Sequence, residues 1–294
     1  MTSQLTIAVL GTGLMGFPMA RRLCEAGHQV HVWNRSRDKA EPLAALGATV
    51  HGEAGAAVRA ADRVVSLLEN GAVVEEVLFG SHQAAAAMAP GTLVIDMASI
   101  KPAEARDHAR RLQALSVAHI DAPVSGGTLG AHNGTLVIMA GGEAADFARA
   151  LAVFAAFGRA THVGPHGTGQ ITKLANQMIV GITIGAVAEA LLLASKGGAD
   201  MARVKDAITG GFADSRILQV HGQRMVDRSF APGGKMSVQL KDMRNALATA
   251  AELGFDAPIT TLFESLYADG VAHGLGELDH AGLFAELARR NAMA

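Results

Sequence analysis

The sequence predicts an α/β half built on a parallel sheet, followed by an all-α half. In the first half, short runs of Val, Ile and Leu alternate with Ala-rich helical stretches, a pattern typical of parallel strands with helices on both faces. After about Gly167 the β-branched runs disappear, and apolar residues recur at three- and four-residue steps, as in helices. A chain of 294 residues exceeds the usual size of one core, so we expect two domains, 1–164 and 165–294.

Five strands are expected in the parallel sheet, at 5–10, 29–33, 63–68, 93–97 and 118–121, and 135–140 is a further candidate. Their connections should be right-handed crossovers, because helical stretches separate the strands. The Gly- and Pro-containing segment 163–169 interrupts regular structure and marks the hinge between the halves. A long helix should begin there, near Thr168 or Gln170.

This long helix is predicted to become apolar on nearly all sides between residues 179 and 194. Gly181, Gly185 and Glu189 interrupt that stretch, so a buried helix is favoured over a membrane span. The residues that follow it are too few to cover it within one chain. We therefore expect the helical domains to pair between subunits, as a homodimer or homotetramer.

Charge and cysteine content limit the partners that we expect. The net charge is −2 and the basic residues are scattered, which argues against nucleic acid. Residues 1–10 lack the features of a secretion signal. The single cysteine, Cys24, cannot form an intramolecular disulfide, which is consistent with a reducing compartment. We expect a cytoplasmic protein that binds a small molecule, without nucleic acid or membrane as a partner.

A glycine-rich turn, Gly11-Thr-Gly-Leu-Met-Gly16, directly follows the first predicted strand and leads into a helix over 17–25. In a GxGxxG turn the first glycine allows a tight turn, the second lets a pyrophosphate approach the backbone, and the third allows close helix packing. After the first strand of an alternating half, the pattern favours a dinucleotide-binding Rossmann domain over an ordinary Gly-rich turn. The candidate cofactor-binding residues are Gly11, Thr12, Gly13, Leu14, Met15 and Gly16.

The end of the second predicted strand should contact the adenosine ribose of that dinucleotide. Sites selective for NAD usually carry a carboxylate there, whereas this chain has Asn34, Arg35 and Ser36. The Arg35 guanidinium can bind a 2′-phosphate through a bidentate fork, and Asn34 and Ser36 can donate hydrogen bonds. We therefore favour NADP(H), with NAD(H) as the alternative cofactor. A solvated basic turn is the interpretation without phosphate recognition.

A second glycine-rich segment, 121–131, follows the strand expected at 118–121. We expect an irregular ligand-binding loop here rather than another helix-opening turn. Ser125 offers a hydroxyl, and Gly126 and Gly127 would let backbone amides approach a carboxylate. A plain surface turn explains the same residues equally well.

Three polar residues, Lys173, Asn176 and Gln177, share one face of the long helix because of their three- and four-residue spacing. A lysine that loses solvent beside an oxidised nicotinamide should have its ammonium form disfavoured, which suits proton exchange with a substrate hydroxyl. The alternative is a solvated lysine whose stem lies along the apolar helix, beside two solvated amides.

Four segments, in order along the chain, resemble the β-hydroxyacid dehydrogenase family, which includes 3-hydroxyisobutyrate dehydrogenases and tartronate semialdehyde reductases. They are GTGLMGFPMA at 11–20, DAPVSGG at 121–127, GTGQITKLANQ at 167–177, and Lys241-Asp242 within QLKDMRNAL. The resemblance covers essentially the whole chain. It implies hydride transfer between NADP(H) and a short β-hydroxy acid or semialdehyde of the 3-hydroxyisobutyrate, tartronate semialdehyde, glyoxylate or succinate semialdehyde class.

The resemblance also implies roles for particular residues. Lys173 would be the catalytic acid/base, and Asn176 would be a second catalytic residue that orients the reacting oxygen. The implied substrate-binding residues are Ser125, Gly126, Gly127, Asn176, Gln177 and Lys241. The first three would hold the substrate carboxylate.

Further cofactor contacts implied by the resemblance are Leu68, Glu69, Ser99 and Lys241. Lys241 would reach both the nicotinamide end and the substrate from the helical domain. Two positions depart from the family pattern. Glu69 stands where the family often has proline, and Gln239 stands where tartronate semialdehyde reductases often have histidine.

Three other functions fit the sequence less well. Imine reductases share the architecture, but by resemblance they usually lack a lysine at position 173. A 6-phosphogluconate-type decarboxylase would need a longer helical domain and a basic phosphate pocket. An NADP-binding sensor would not require Lys173, Asn176 and Lys241, so their presence argues against it. No metal is expected, because a helix start explains the Asp279-His280 pair.

Overall fold

The computed structural model describes residues 4–293, which form two compact units, one ending at Lys173 and the other beginning at Leu174. Within the described residues, the first unit contains one nine-stranded sheet in the order β3-β2-β1-β4-β5-β6-β8-β7, with β9 beside β8. The strands are β1 (Thr6–Leu10), β2 (Gln29–Trp33), β3 (Thr49–Val50), β4 (Arg63–Ser66), β5 (Leu93–Asp96), β6 (Ala118–Asp121), β7 (Val124–Ser125), β8 (Leu136–Gly142) and β9 (Gly158–Gly164).

The sheet is mixed rather than purely parallel. Strands β1 to β6 are parallel to one another, β8 is antiparallel to both β6 and β7, and β9 is parallel to β8. The first unit's helices are α1 (Gly16–Glu25), α2 (Ala54–Val58), α3 (Gly71–Leu78), α4 (Pro102–Ala114), α5 (Gly127–Asn133) and α6 (Ala144–Phe157). The α/β fold and all six predicted strands are confirmed. Strands β3 and β7 have two residues each, and β9 is too polar to predict.

The expectation of an irregular loop over 121–131 is wrong. Val124 and Ser125 pair with β8, and α5 begins at Gly127. Gly130 of this helix is buried, and a Cβ there would lie 3.0 Å from the Leu136 side chain. Close packing against β8 therefore supports a short helix that its glycine content disfavours.

Both faces of the sheet are covered, which explains why the strands are continuously apolar. Ile7 and Val9 of β1 lie in one buried cluster, whereas Ala8 and Leu10 lie in another. Successive residues of a strand point to opposite faces, so both sets must be apolar. The first unit thus has the two-sided core of a doubly wound sheet.

The second unit is helical, and α7 (Thr168–Lys196) begins where the sequence predicted it. The helices that follow are α8 (Met201–Ile208), α9 (Gln223–Val226), α10 (Met236–Glu252), α11 (Pro258–Gly270) and α12 (Leu283–Arg290). The unit's core joins Ile184 and Leu191 of α7 to Met243, Tyr267 and Phe284 of the later helices.

Helix α7 is the one helix in residues 4–293 that is long and apolar enough to cross a membrane by length and composition. We expected the interruptions at Gly181, Gly185 and Glu189 to leave the helix short of a membrane span, but it still meets this criterion of length and composition. Central helices of globular proteins pass the same test. Within residues 4–293, 39% of its most apolar stretch is buried.

Candidate active site

Five strand ends lie side by side at one edge of the first unit's sheet. Trp33 pairs with Leu10, Leu10 with Ser66, Ser66 with Asp96, and Asp96 with Asp121. Because β2, β1, β4, β5 and β6 are parallel, the segments that follow them all leave at the carboxyl edge, where open α/β sheets bind ligands. The predicted cofactor turns and the predicted substrate turn therefore share one edge.

The glycine turn after β1 is shaped by backbone packing. Gly11 has a φ of +97°, and a Cβ there would lie 2.5 Å from the Leu67 carbonyl oxygen. A Cβ on Gly16 would lie 1.9 Å from the Gly11 carbonyl oxygen, so neither position has room for a side chain. A Cβ on Gly13 would instead meet open space. The backbone at the middle glycine is therefore open to a ligand.

The residues between these glycines fit a dinucleotide pyrophosphate. The hydroxyl of Thr12 is buried and has no hydrogen-bond partner within the part of the chain that the structure describes. Leu14 is 84% exposed, and Met15 occupies the N-cap of α1. A phosphate bound at this helix N-terminus would meet backbone N–H groups and the favourable end of the helix dipole.

The turn after β2 is tied to the glycine turn by Asn34. Its Oδ1 accepts a hydrogen bond from the Thr12 amide at 2.9 Å, and its Nδ2 donates to the Ser36 carbonyl at 2.9 Å. Arg35 is exposed and makes no ion pair within residues 4–293, whereas Arg37 is paired with Glu41. Arg35 is thus a cation of this turn that is available to a phosphate.

The remaining predicted cofactor residues follow β4 and β5 at the same edge. The Leu68 side chain lies against the glycine turn, 3.1 Å from where a Cβ of Gly11 would be. Glu69 is exposed and precedes Asn70, which caps α3. Ser99 is half-buried, three residues beyond the end of β5. These positions are compatible with contacts along a bound dinucleotide.

Lys173 lies at the second glycine turn. Its Nζ donates a hydrogen bond to the Val124 carbonyl oxygen at 2.9 Å, and Val124 directly precedes Ser125. Both Lys173 and Ser125 are half-buried, whereas Gly126 and Gly127 are exposed. The structure thus brings the predicted acid/base to the turn that the sequence predicted to hold a carboxylate.

Two buried side chains anchor the start of α7, one turn before Lys173. Asp121 accepts hydrogen bonds from the amides of Gly167 at 2.7 Å and Gln170 at 2.9 Å. The Gln170 side chain donates to the Ala98 carbonyl at 2.8 Å and accepts from the backbone amide of residue 100 at 3.1 Å. Burial raises the pKa of Asp121 to about 7, although its two backbone hydrogen bonds act in the opposite direction. This anchor fixes where the helix presents Lys173.

The predicted polar residues of the second unit form a network of their own. Asn176 donates to Gln177 at 2.8 Å, and Gln177 donates to Asp242 at 2.8 Å and lies 3.4 Å from the Gln239 side-chain oxygen. The Lys241 ammonium is 3.2 Å from the other oxygen of Asp242. Buried Asp242 therefore joins Gln177 and Lys241, two residues that the sequence predicted to bind substrate.

Asp121, Gln170 and Asp242 are the site residues that sequence reasoning missed. Each lies inside a segment quoted for the family resemblance, directly at a strand end, in a first helical turn or beside Lys241. A carboxylate at a buried strand end and a glutamine in a buried first turn were the available signals. Their partners are distant in sequence, so the pairing itself was not predictable.

Comparison with known proteins identifies both halves. Residues 6–167 match the family described as the NAD binding domain of 6-phosphogluconate dehydrogenase. Residues 167–287 match the family described as the NAD-binding domain of NADP-dependent 3-hydroxyisobutyrate dehydrogenase. The two matches meet at Gly167, just before α7.

Relatives and solved structures of similar length agree with these matches. A 2-hydroxy-3-oxopropionate reductase of Escherichia coli is 44% identical, covering 94% of this chain and 95% of the relative. A 3-hydroxyisobutyrate dehydrogenase of Pseudomonas aeruginosa is 35% identical, over 94% and 95%. The structure of Mycobacterium tuberculosis 3-hydroxyisobutyrate dehydrogenase with L-serine has a TM-score of 0.90 at 32% identity, over 97% and 99%. The chain therefore belongs to the 3-hydroxyisobutyrate dehydrogenase family of NAD(P)-dependent β-hydroxyacid dehydrogenases.

Proposed function

We propose that the protein interconverts a short β-hydroxy acid and its semialdehyde with NADP(H), using Lys173 as the acid/base. The observation that carries this proposal is the position of the Lys173 ammonium, 2.9 Å from the Val124 carbonyl and beside the Ser125-Gly126-Gly127 turn. This turn lies at the same sheet edge as the Gly11–Gly16 turn.

The proposed chemistry divides between the cofactor and the chain's own residues. Bound NADP(H) supplies or accepts the hydride. In reduction, Lys173 donates a proton from Nζ to the carbonyl oxygen of the substrate, and in oxidation it takes that proton back from the hydroxyl. Ser125 and the amides of Gly126 and Gly127 bind the substrate carboxylate. This anchor sets the distance to the reacting carbon, which favours a carbon β to the carboxylate.

The cofactor preference that we propose rests on the turn after β2. No carboxylate is present at Asn34-Arg35-Ser36, and Arg35 is exposed without an ion pair inside the described chain. A carboxylate at this point would accept from the ribose hydroxyls of NAD and repel a 2′-phosphate. A guanidinium attracts that phosphate instead, so we assign NADP(H) as the preferred cofactor and NAD(H) as the weaker one.

We assign the remaining predicted residues as the resemblance implies. Residues 1–164 form the cofactor-binding domain and 165–294 the substrate and dimerisation domain. Asn176, Gln177 and Lys241 act on the substrate, and Asp242 holds the last two in place through its hydrogen bond and ion pair. These two contacts limit the rotamers of Gln177 and Lys241, which favours a defined substrate geometry.

A second copy of this chain is the proposed partner of the second unit's exposed apolar surface. The exposed large apolar residues there include Ile179, Leu193, Leu253, Phe255, Ile259 and Leu262. A contiguous patch of such side chains usually marks an interface, so we propose that these residues pair between subunits. Sedimentation of the wild type and of Ile179→Asp tests this, with a dimer or larger assembly expected for the former and a smaller species for the latter.

The experiment that tests the proposed function is a substrate panel with both cofactors. Tartronate semialdehyde is the first candidate, because the E. coli relative is named for 2-hydroxy-3-oxopropionate. Methylmalonate semialdehyde, succinate semialdehyde and glyoxylate follow, and a cyclic imine tests for imine reduction. We expect NADPH consumption with at least one semialdehyde and none with the imine. Cofactor binding without turnover of any semialdehyde would favour a sensor and overturn the proposal.

A further inference from the structure

Two imidazoles and one carboxylate converge in the second unit, outside the residues assigned to catalysis. His221 lies in a π-helical turn, Leu218–Gly222, and Asp279 and His280 lie at the start of the short helical turn that precedes α12. The His221 Nδ1 is 3.3 Å from Asp279 Oδ1, and the His280 Nε2 is 3.9 Å from the same oxygen. The three potential ligand atoms lie within 4.8 Å of one another.

The sequence predicted only a helix start for the Asp279-His280 pair, and that part is confirmed. Asp279 caps the turn by accepting a hydrogen bond from the Ala281 amide at 3.1 Å. His221 is 58 residues earlier (279 − 221 = 58), so its approach was not predictable. Single π-helical turns occur frequently at functional sites, and here the turn carries the third potential ligand.

The carboxylate of Asp279 uses its two oxygens differently. Its Oδ2 accepts hydrogen bonds from the amides of Gly233 at 2.9 Å and Gly234 at 3.1 Å, and it is 3.2 Å from the Arg224 guanidinium. Its Oδ1 accepts the hydrogen bond from the Ala281 amide and also faces the two imidazoles. A carboxylate oxygen has two lone pairs, so Oδ1 can still bind an ion while the hydrogen bonds orient the carboxylate.

The donor atoms suit a cation. Asp279 is fully buried and the two histidines are half-buried. The Nδ1 of His221 is buried and has no hydrogen-bond partner in the part of the chain that the structure describes. One carboxylate oxygen and two imidazole nitrogens are ligands that Zn²⁺ prefers.

We propose that His221, Asp279 and His280 form a binding site for Zn²⁺ or a similar transition-metal ion, which joins the π-helical turn to the start of α12. A tetrahedral ion bound at about 2.0–2.2 Å holds its ligands about 3.3 Å apart, and the Asp279–His221 separation already has this value. A small shift of His280 brings in the third ligand, and water completes the shell. The positive charge of Arg224 reduces the affinity but does not occupy Oδ1.

A metal-free charge cluster is the competing explanation. In that case Arg224 and the nearby His221 imidazole stabilise Asp279, and His280 packs edge-on against His221, at a ring separation of 4.6 Å. The two explanations differ in one measurable respect. Only the metal site requires both histidines for binding of an added ion.

Calorimetric titration with Zn²⁺ of the untagged, chelator-treated protein tests the proposal. We expect one equivalent to bind, and we expect His221→Gln and His280→Gln each to weaken binding by about tenfold or more. His132→Gln, a change at an exposed histidine of α5, should leave the affinity unchanged. Zn²⁺ should also raise the Tm of the wild type but not that of the two site variants. Absence of binding, or equal affinity in all four proteins, would overturn the site.

A second measurement needs no variant and covers the case in which a substitution prevents folding. Diethyl pyrocarbonate modifies accessible histidines, and mass spectrometry reports the extent at each residue. With Zn²⁺ present, modification of His221 and His280 should fall several-fold relative to His132, which serves as the internal reference. Unchanged modification of both would contradict the proposal.

Discussion

Two glycine turns at the same sheet edge differ in what requires their glycines. After β1, a Cβ on Gly11 or Gly16 would collide with a backbone carbonyl oxygen at 2.5 Å or 1.9 Å. Before α5, a Cβ on Gly127 would meet open space, and the atom nearest to one on Gly126 would be in the Leu136 side chain, at 3.2 Å. At this turn the backbone conformation disfavours other residues, because φ is +132° at Gly126 and +63° at Gly127.

The difference indicates two kinds of binding site. The first turn is fixed by the protein's own packing, so the shape that receives a pyrophosphate exists without the ligand. The second turn is open on the side of Ser125 and is bordered by the Lys173 ammonium. We therefore propose that backbone shape selects the ligand at the first turn and that side-chain chemistry acts at the second.

The largest effect should come from the side chain that borders the second turn. Replacing Lys173 with Ala removes the proposed proton donor, so kcat should fall about 100- to 10,000-fold, while the Kd for NADPH changes little. Steady-state kinetics and fluorescence titration measure the two quantities. The Asp62→Asn variant, altered at an exposed carboxylate, is the control. Turnover near the wild-type rate in Lys173→Ala would remove the lysine from the mechanism.

The packing requirement at the first turn should appear as a loss of stability. Gly11→Ala should lower the free energy of unfolding by about 1–3 kcal/mol more than Gly27→Ala. Both glycines have positive φ, at +97° and +82°, but a Cβ on Gly27 meets nothing within 4 Å. The pair thus separates the steric collision from the backbone strain. Urea unfolding measures the free energy of unfolding of both variants, and equal losses would show that the collision is absent.

Cofactor selectivity should depend on one exposed guanidinium beside the first turn. Arg35→Gln should lower the ratio of kcat/KM for NADPH over NADH by about tenfold to a hundredfold, because a charge-assisted contact to the 2′-phosphate is lost. Arg37→Gln is the matched control, since Arg37 is already paired with Glu41. A preference for NADH in the wild type would refute the assignment of the cofactor.

The anchor beneath the second turn should give a smaller, pH-dependent effect. The folded-state pKa of Asp121 is raised from 3.8 to about 7, so the unfolded state releases this proton more readily than the folded state. Its contribution is fully present below about pH 4 and is lost as the pH rises through 7. The unfolding free energy of Asp121→Asn should therefore fall less between pH 4 and pH 8 than that of the wild type or Asp62→Asn. Identical pH slopes for all three proteins would contradict this account.

The sequence predicted the α/β fold, the six main strands and the start of α7, because these depend on local patterns of apolar residues and glycines. Through the family resemblance it also assigned Lys173 and Ser125 to one site. It did not predict β9, the short helix after Gly126, or the hydrogen bonds of Asp121 and Asp242. Those features depend on partners far away in the chain, such as the contact between Asp121 and the Gly167 amide.

The central claim is that the first glycine turn binds the dinucleotide and the second binds the substrate carboxylate. Measuring both the Kd for NADPH and the substrate KM in Gly13→Ala and Ser125→Ala tests it most directly. We predict that Gly13→Ala, whose Cβ would occupy open space, raises the Kd for NADPH about tenfold with little loss of stability. Ser125→Ala should raise the substrate KM about tenfold and leave the Kd unchanged. Equal changes of both constants in both variants would contradict the division between the two turns.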